Sequence, residues 1–144
     1  VYIGLTLGDQ TDQLVNLQKI YMVHPNTLES KQVWTHQIGN ETYPKRGGAN
    51  IEQVKGNYMI LSLGVCYACD GGPPFGKILL NTETGQEKYL GEIDNISFDL
   101  PANRLTYQKV APFEEACEPS PRCTNEETRT VYKPTGEMLT ENLF

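Results

Sequence analysis

The chain has 144 residues, a length that fits one domain of ordinary size. Hydrophobic residues make up 38% of it and charged residues 21%, so the sequence is too apolar for a disordered tail. Its 13 glycines and 9 prolines interrupt it too often for a coiled coil. The net charge of −6 argues against a nucleic-acid partner, and no apolar run reaches the roughly 18 residues of a membrane span.

Short apolar runs separated by turn-forming residues follow one another along the whole chain. They are rich in Val, Ile, Leu, Tyr and Thr, and the residues between them are mostly Gly, Pro, Asn and Asp, which is typical of antiparallel strands joined by tight turns. The predicted strands are residues 1–7, 18–23, 32–38, 49–54, 58–63, 77–80, 87–90, 96–98, 104–109, 128–132 and 138–143. Residues 12–20 are a weak candidate for a helix. The sequence therefore predicts a single all-β domain over residues 1–144.

Three segments of the chain share one plan of strand, tight turn and strand. Their turns place Ser30, Gly85 and Gly136 at matching positions, where glycine supplies a positive φ without steric cost. A second shared hairpin aligns residues 51–60 with residues 96–107. Together the two hairpins predict four-stranded units of about 49–90 and 94–144, preceded by an incomplete unit, 1–38, that lacks its first strand. In the last unit, residues 133–136 are the predicted turn between the two final strands.

Two of these hairpins resemble a known repeat. Asn95-Ile-Ser-Phe-Asp-Leu-Pro-Ala-Asn-Arg-Leu-Thr-Tyr107 is similar to the inner hairpin of the propeller repeats of the periplasmic TolB-like, WD40-like class. Leu79-Leu-Asn-Thr-Glu-Thr-Gly85, followed by Leu90, resembles the outer hairpin. The resemblance implies antiparallel four-stranded blades in a partial or oligomer-completed β-propeller, although the inner turn lacks the usual Asp-Gly and closed propellers usually have four to eight blades. A β-sandwich is the alternative.

Alternation along the strands also predicts a core. Every second residue of a strand points to the same face, and stacked blades would cover both faces. The side chains expected to be buried are those of Tyr58, Ile60, Ile78, Leu80, Ile96, Phe98, Leu105, Tyr107 and Val131.

The four cysteines form two pairs in polar loops. Cys66 and Cys69 lie between the second and third strands of the middle unit, and Cys117 and Cys123 lie between the same strands of the last unit. This pattern favours a disulfide within each loop and an oxidising location, extracellular or periplasmic. A zinc site remains the alternative because the first pair has zinc-knuckle spacing. Redox catalysis is disfavoured, since residues 70–74 preclude the helix that would lower a thiol pKa.

No motif for catalysis or for a cofactor is present. There is no nucleophile elbow, phosphate loop or dinucleotide fingerprint, and His24 and His36 lie on or beside strands as isolated residues. We therefore expect an extracytoplasmic binding or scaffold module, without a cofactor or metal, rather than an enzyme. Two alternatives are the non-catalytic portion of a larger propeller enzyme and a β-sandwich surface or filament subunit completed by strand addition.

The long loops suggest where a partner binds. Turns of a four-stranded meander alternate between its two ends, so the short turns gather at one end and residues 8–16, 39–48, 64–76 and 110–127 gather at the other. Loops elaborated on one side of a scaffold commonly carry binding, and the acidic residues of 114–127 favour a cationic partner at low salt. The predicted partner surface is Tyr43, Tyr67, Phe75, Phe113, Glu114, Glu115 and Glu118. The partner is expected to be a protein or another macromolecule, a second copy of the chain included.

Overall fold

The computed structural model describes residues 1–7, 17–37, 49–63, 76–116 and 128–144. Within these residues the chain forms ten strands and no helix, which confirms the all-β, antiparallel class. The strands are β1 Tyr2–Leu7, β2 Leu17–Val23, β3 Ser30–Gln37, β4 Ala49–Lys55, β5 Tyr58–Leu63, β6 Lys77–Asn81, β7 Glu87–Gly91, β8 Ile93–Asp99, β9 Arg104–Ala116 and β10 Thr128–Asn142. The weak helix candidate is wrong over the part that is described, because residues 17–20 belong to β2. No helix long and apolar enough to cross a membrane occurs in the described ranges.

The strands form three antiparallel meanders. Sheet A has the order β1-β2-β3, sheet B the order β4-β5-β6-β7, and sheet C the order β10-β9-β8. The chain divides into two compact units, of which the first contains sheets A and B and the second contains sheet C. Strands that pair are neighbours in sequence, as is usual for antiparallel meanders.

Sheets A and B pack face to face in the first unit. Their core consists of Ile20, Val33, Trp34, Ala49, Met59, Leu61, Leu63, Ile78 and Leu80. The indole Nε1 of Trp34 donates a hydrogen bond of 2.7 Å to Glu87 Oε2, which joins β3 to β7. The Tyr2 hydroxyl lies 3.2 Å from Thr82 Oγ1, and Thr82 donates its own proton to the Asn57 carbonyl oxygen at 3.1 Å. Tyr2 is therefore the donor to Thr82, and the polar groups at this interface are satisfied.

Sheet B is buried on both faces. Residues 59–61 of β5 and 78–80 of β6 are 0% exposed. Because successive strand residues point to opposite faces, Ile60 and Leu79 lie on the face that is turned away from sheet A. An antiparallel sheet with one solvated face would carry polar residues there, whereas sheet B has buried apolar residues on both faces.

The β6–β7 hairpin has a six-residue turn, residues 81–86, that is closed by its own first residue. Asn81 N donates to the Gln86 carbonyl oxygen and Gly85 N donates to the Asn81 carbonyl oxygen, both at 2.8 Å. The Asn81 Oδ1 atom also accepts the Thr84 N–H at 3.2 Å. Gly85 has φ +76°, the left-handed conformation that glycine adopts without strain.

The β2–β3 hairpin repeats this turn with different residues. His24 N donates to the Glu29 carbonyl oxygen and Leu28 N donates to the His24 carbonyl oxygen, both at 2.9 Å, and His24 Nδ1 accepts the Thr27 N–H at 3.4 Å. Leu28 has φ +59°. The sequence match of Ser30 to Gly85 is therefore wrong by two positions. Leu28 has the left-handed backbone conformation that corresponds to that of Gly85, and Ser30 begins β3.

The β4–β5 and β8–β9 hairpins also match, through a bulge at the same distance from the turn. In each hairpin three ladder pairs separate the turn from the irregularity, which follows Gln53↔Ile60 in sheet B and Ser97↔Thr106 in sheet C. A β-bulge disturbs the ladder and increases the local twist. Its recurrence at one position supports a structural repeat that the sequence aligned only approximately.

Sheet C forms the second unit and has one apolar and one polar face. Leu105 is fully buried, whereas its neighbours Arg104 and Thr106 point to the other face, where the Thr106 and Thr140 hydroxyls lie 3.1 Å apart. This alternation is typical of an antiparallel sheet with one solvated side. Sheets B and C thus differ in how many of their faces are apolar.

The predicted turn at residues 133–136 is wrong. A single strand, β10, runs from Thr128 to Asn142 along β9, and residues 135–137 bulge out of the ladder between the pairs Pro134↔Val110 and Met138↔Gln108. The third unit therefore has three strands where four were expected.

This bulge has two features in common with the turn at residues 81–86. Gly136 has φ +85°, and Glu137 N donates to Thr135 Oγ1 at 3.3 Å, as Gln86 N does to Thr84 Oγ1 at the same distance. The position equivalent to Asn81 is Tyr132, whose hydroxyl is too far from its own backbone to accept the N–H that fixes a turn. Without that acceptor the chain remains in the ladder with β9.

The predicted core is confirmed in part. Ile60, Ile78, Leu80 and Leu105 are fully buried. The remaining five side chains are only partly buried, namely Tyr58, Ile96, Phe98, Tyr107 and Val131. Four of these five residues lie in sheet C. There Phe98 is the direct partner of the buried Leu105, so the apolar face of this sheet is itself only partly covered.

Candidate functional site

The largest departure from a compact sheet is a two-stranded extension of sheet C. The last ladder pair between β8 and β9 is Ile93↔Lys109, and Val110 N donates to the Glu92 carbonyl oxygen at 2.9 Å just beyond it. From there, among the strands that the structure describes, β9 has β10 as its only partner. We call this extension, residues 111–116 paired with 128–133, the β9–β10 arm.

The arm contains three residues of the predicted partner surface, which are Phe113, Glu114 and Glu115. Their expected position in a loop is wrong, because strand β9 extends to Ala116 and residues 110–116 are paired. The other four residues of that surface, Tyr43, Tyr67, Phe75 and Glu118, lie outside the described residues, as do Cys66, Cys69, Cys117 and Cys123. The predicted disulfides and the common end of the long loops therefore stay predictions.

One face of the arm combines an aromatic ring with an ion pair. Phe113 and Val131 are cross-strand partners, and Phe113 remains 37% exposed. Lys133 Nζ lies 5.1 Å from the centre of the Phe113 ring and donates to Glu115 Oε1 at 2.7 Å. A cation at this distance from a ring is attracted to its face, so Lys133 contacts both the ring and the carboxylate.

The opposite face of the arm carries Glu114. Its Oε1 accepts a hydrogen bond of 2.8 Å from Thr130 Oγ1, and its side chain is exposed. Among the side chains that the structure describes, Glu114 has no cationic partner. Of the two carboxylates in the arm, Glu114 is thus the one available to a positively charged partner, whereas the charge of Glu115 is compensated by Lys133.

Both outer edges of the arm are protected by proline. The bond from Val110 N to Glu92 shows that the even-numbered residues of β9 direct their backbone groups away from β10. The missing N–H of Pro112 therefore falls on the edge of β9 that faces away from β10, where no described strand pairs with it. Pro134 is opposite Val110, so its missing N–H falls on the outer edge of β10. Neither proline removes a bond from the ladder, and each makes its edge a poorer partner for another strand.

A second polar cluster joins three strands of sheet B. Ser62 Oγ donates to Glu52 Oε2, and Lys77 Nζ donates to Glu52 Oε1 at 2.5 Å. Glu52 is the extra residue of the β4 bulge, and this position turns it toward both partners. Both carboxylate oxygens of Glu52 are thus engaged, so the cluster links β4, β5 and β6 rather than activating the serine. No sequence pattern indicates this cluster, since the three residues are far apart along the chain.

A shallow groove of about 380 Å³ lies beside the β2–β3 turn. Its lining is mostly apolar and includes Val1, Met22 and Pro25, with His24 and Lys31 among the polar residues. The His24 ring is already occupied in closing the turn, so the groove lacks a set of free polar groups that converge on one point. In the described ranges no three His, Cys, Asp or Glu side chains are grouped closely enough to hold a metal ion.

Comparison with known proteins does not assign the chain to a family. No protein-family model matches the chain, and no significant match was found among curated proteins or solved structures.

Proposed function

We propose that the chain is an extracytoplasmic binding or scaffold module, built from propeller-type blades, whose β9–β10 arm is part of the partner surface. The observation that carries the binding role is the arm itself, a paired ribbon that extends beyond β8 and fixes the partly exposed ring of Phe113. Aromatic side chains that are held in place bury a large area at little entropic cost, and they are enriched at the energetic centres of protein interfaces.

The repeated hairpins support the blade interpretation. The turns at residues 24–29 and 81–86 have the same backbone bonds, and the bulges of β4 and β8 have the same register. Sheet B is apolar on both faces, as a propeller blade would be. These features favour stacked blades over a two-sheet sandwich, in which each sheet would turn one polar face to solvent.

Charge suggests what kind of partner the arm binds. Glu114 is exposed on the arm, and the connecting residues 117–127 add three further glutamates against one arginine. The partner is therefore a protein or peptide surface that carries basic residues, with apolar contacts to Phe113. Such attraction is screened by salt, because the Debye length falls from about 30 Å at 0.01 M to about 8 Å at 0.15 M.

A titration with a fluorescently labelled ten-residue oligolysine tests this proposal. We expect binding at low salt that weakens at physiological salt, and Glu114→Gln should weaken it by about two- to fivefold, as for the loss of one exposed ion pair. Glu115→Gln should have a smaller effect because Lys133 already compensates that charge. Phe113→Ser should weaken binding by a similar factor through the loss of the ring.

Glu83→Gln is the matched control, because Glu83 is an exposed glutamate in the first unit and glutamine preserves an acceptor for Asn57. It should bind oligolysine as the wild type does. Equal losses in Glu83→Gln and Glu114→Gln would reduce the effect to net charge and would contradict a role for the arm. Absence of binding at low salt would contradict the proposal as well.

A further inference from the structure

Strand β10 contains two segments whose counterparts in sheet B are separate strands. Residues 128–132 correspond to β6 and residues 138–142 to β7, and the bulge at residues 135–137 lies where sheet B has the turn at residues 81–86. The bulge has the left-handed glycine of that turn and the same contact of a backbone N–H with a threonine hydroxyl. A turn-like segment thus interrupts an otherwise continuous strand.

The other hairpins specify where residues 128–132 would lie if this turn closed. The matching bulges make Thr106 of β9 equivalent to Ile60 of β5, and Ile60 is opposite Leu79. Leu79 precedes the first turn residue by two positions, as Thr130 does in the third unit. Closing the turn would therefore pair Thr106 with Thr130. In the observed ladder Thr106 is opposite Thr140, so the exchange would keep threonine opposite threonine.

The neighbouring ladder pair also accepts the exchange. Leu105 is fully buried and is opposite Glu141 in the observed ladder. With the turn closed, Val131 would be opposite Leu105, and an apolar cross-strand neighbour suits a buried leucine better than a carboxylate does. Two segments of β10 thus match the same stretch of β9, and a register is weakly specified when the same face pattern fits twice.

The exchange of register would remove the β9–β10 arm. Residues 128–133 pair with residues 111–116 only while residues 138–142 lie beside the first part of β9. With the turn closed, the first segment would pair with residues 104–108, and residues 110–116 would become part of the connection that precedes it. Sheet C would then be a four-stranded meander like sheet B.

We infer that sheet C has two registers, the observed arm register and a blade register in which β10 folds back at residues 133–136. A single sequence can alternate between two packings when their free energies are close. The arm register predominates because Tyr132 has no acceptor within reach of the backbone N–H groups of the turn. A partner that binds the arm would select the arm register. This last consequence rests on the proposed function of the arm, whereas the two registers do not.

Tyr132→Asn tests the inference, because it supplies the acceptor that Asn81 has in its own turn. We expect the blade register to predominate in this variant. The even-numbered residues of β9 direct their backbone groups away from β10, so Thr106 belongs to a non-hydrogen-bonded pair, in which the two Cα atoms are closest. In nuclear magnetic resonance spectra, the Hα contact of Thr106 with Thr140 should be replaced by one with Thr130.

Hydrogen exchange provides a second measurement of the register. The odd-numbered residues of β9 bond to β10, so the amides of Phe113 and Glu115 are bonded in the ladder of the arm register only. The Leu105 amide is bonded to β10 in both registers. Tyr132→Asn should accelerate exchange at Phe113 and Glu115 by about tenfold or more and leave Leu105 slow. Slow exchange at Leu105 also shows that the variant is folded.

Tyr132→Leu is the matched control, because leucine is close to asparagine in size but has no acceptor. It should retain the Hα contact of Thr106 with Thr140 and leave exchange at Phe113 within about threefold of the wild type. Tyr132→Asp restores an acceptor oxygen and should behave as Tyr132→Asn does.

The wild type itself should populate the blade register as a minor state, at up to about 10%. Saturation-transfer resonance measurements should reveal this state at Phe113 and Val131, with the chemical shifts that the Tyr132→Asn protein has. This measurement remains informative if the variants do not fold.

Three results would overturn the inference. Minor-state chemical shifts typical of an unfolded strand would show that the arm only frays. The absence of a minor state would show that the wild type has one register. Equal acceleration of exchange in Tyr132→Asn and Tyr132→Leu, with Thr106 still beside Thr140, would exclude a role for the turn acceptor. None of these measurements includes a partner, so their outcome is independent of the oligolysine titration.

Discussion

Leu28 has a backbone conformation that the other two repeats give to glycine. Its φ is +59°, whereas Gly85 and Gly136 at the equivalent positions have +76° and +85°. A side chain in the left-handed region costs roughly 1–2 kcal/mol. The Leu28 side chain is 76% exposed, so little packing offsets this cost. The turn is maintained by its backbone bonds and by the His24 ring rather than by a residue suited to it.

We therefore expect Leu28→Gly to raise the free energy of unfolding by about 0.5–1 kcal/mol. This is the strain that the substitution removes, minus the cost of the extra conformational freedom that glycine has in the unfolded chain. Urea denaturation measures this difference. The reverse exchange, Gly85→Leu, should lower the free energy of unfolding by about 1 kcal/mol. A destabilised Leu28→Gly protein would mean that the leucine side chain makes contacts that outweigh the strain.

Tyr107 and Glu141 make the stability of the fold sensitive to alkaline pH. Burial raises the pKa of Tyr107 above its ordinary value of 10.0, and the negative charge of Glu141 and the hydrogen bond to it add to the effect. The folded protein thus retains this proton at a pH at which the unfolded chain releases it. The contribution to stability is complete below pH 10 and is lost as the pH rises through the folded pKa.

Tyr107→Phe should remove this part of the alkaline loss. In denaturation series from about pH 8 to 11, the wild type should lose stability above about pH 10 more steeply than the variant. Glu141→Gln should also flatten the profile, because it removes the charge that raises the pKa. Equal slopes in all three proteins would contradict the assignment.

At the scale of single residues, the sequence indicates which glycines have a positive φ but not which other residues do. Gly85 was identified as a left-handed turn residue because glycine commonly has that role. Leu28 could not be identified, since nothing in its residue type indicates a positive φ. The Lys133 contacts with Phe113 and Glu115 were also missed, because they depend on the ladder register of two strands rather than on sequence spacing.

At the scale of the element, the two repeated hairpins that form have an acceptor side chain at the first residue of the turn, and the one that does not form lacks it. Asn81 Oδ1 accepts the N–H groups of Glu83 and Thr84 at 3.0 and 3.2 Å, and His24 accepts one such N–H in its own turn. In the third repeat, Tyr132 occupies the position equivalent to Asn81 and His24, and there the chain continues as strand β10. The sequence predicted a turn there from Pro134 and Gly136, which are turn formers but also suit a bulge at a sheet edge.

Asn81→Ala should lower the free energy of unfolding by about 1–2 kcal/mol, because two backbone N–H groups lose their acceptor. Asn81→Asp retains an oxygen in the same place and should remain within about 0.5 kcal/mol of the wild type. Thermal denaturation of the two variants distinguishes loss of the acceptor from loss of the amide nitrogen. If both were equally destabilised, capping would not be the reason for the effect.

At the scale of the whole molecule, the sequence predicted the class and most of the strands. Apolar alternation and turn residues located the strands of sheet B to within a residue or two, because short turns between β4 and β5 and between β6 and β7 mark their ends. The arm was not foreseen. Phe113, Glu114 and Glu115 follow Pro112 in a polar stretch typical of a loop, and only pairing with residues 128–133 makes them a strand.

The cysteines give a prediction for the whole chain. We expect no free thiol among the four cysteines in the native protein, because each pair is separated by only two or five residues within one loop. Titration of the denatured, unreduced protein with a thiol reagent should find none, and all four after reduction. Four reactive thiols before reduction would contradict the disulfides and the oxidising location, and zinc in the same sample would establish the metal alternative.

Pro112 and Pro134 should affect whether this protein forms fibrils during storage in solution. A long exposed ribbon is a natural template for fibril growth, in which each added chain presents the next edge. A missing N–H on each side of the arm interrupts that propagation. Thioflavin fluorescence should therefore stay flat on prolonged incubation of the wild type, whereas the double variant Pro112→Thr and Pro134→Thr should show a lag followed by growth. Similar traces for both proteins would show that the ribbon edges do not control polymerisation.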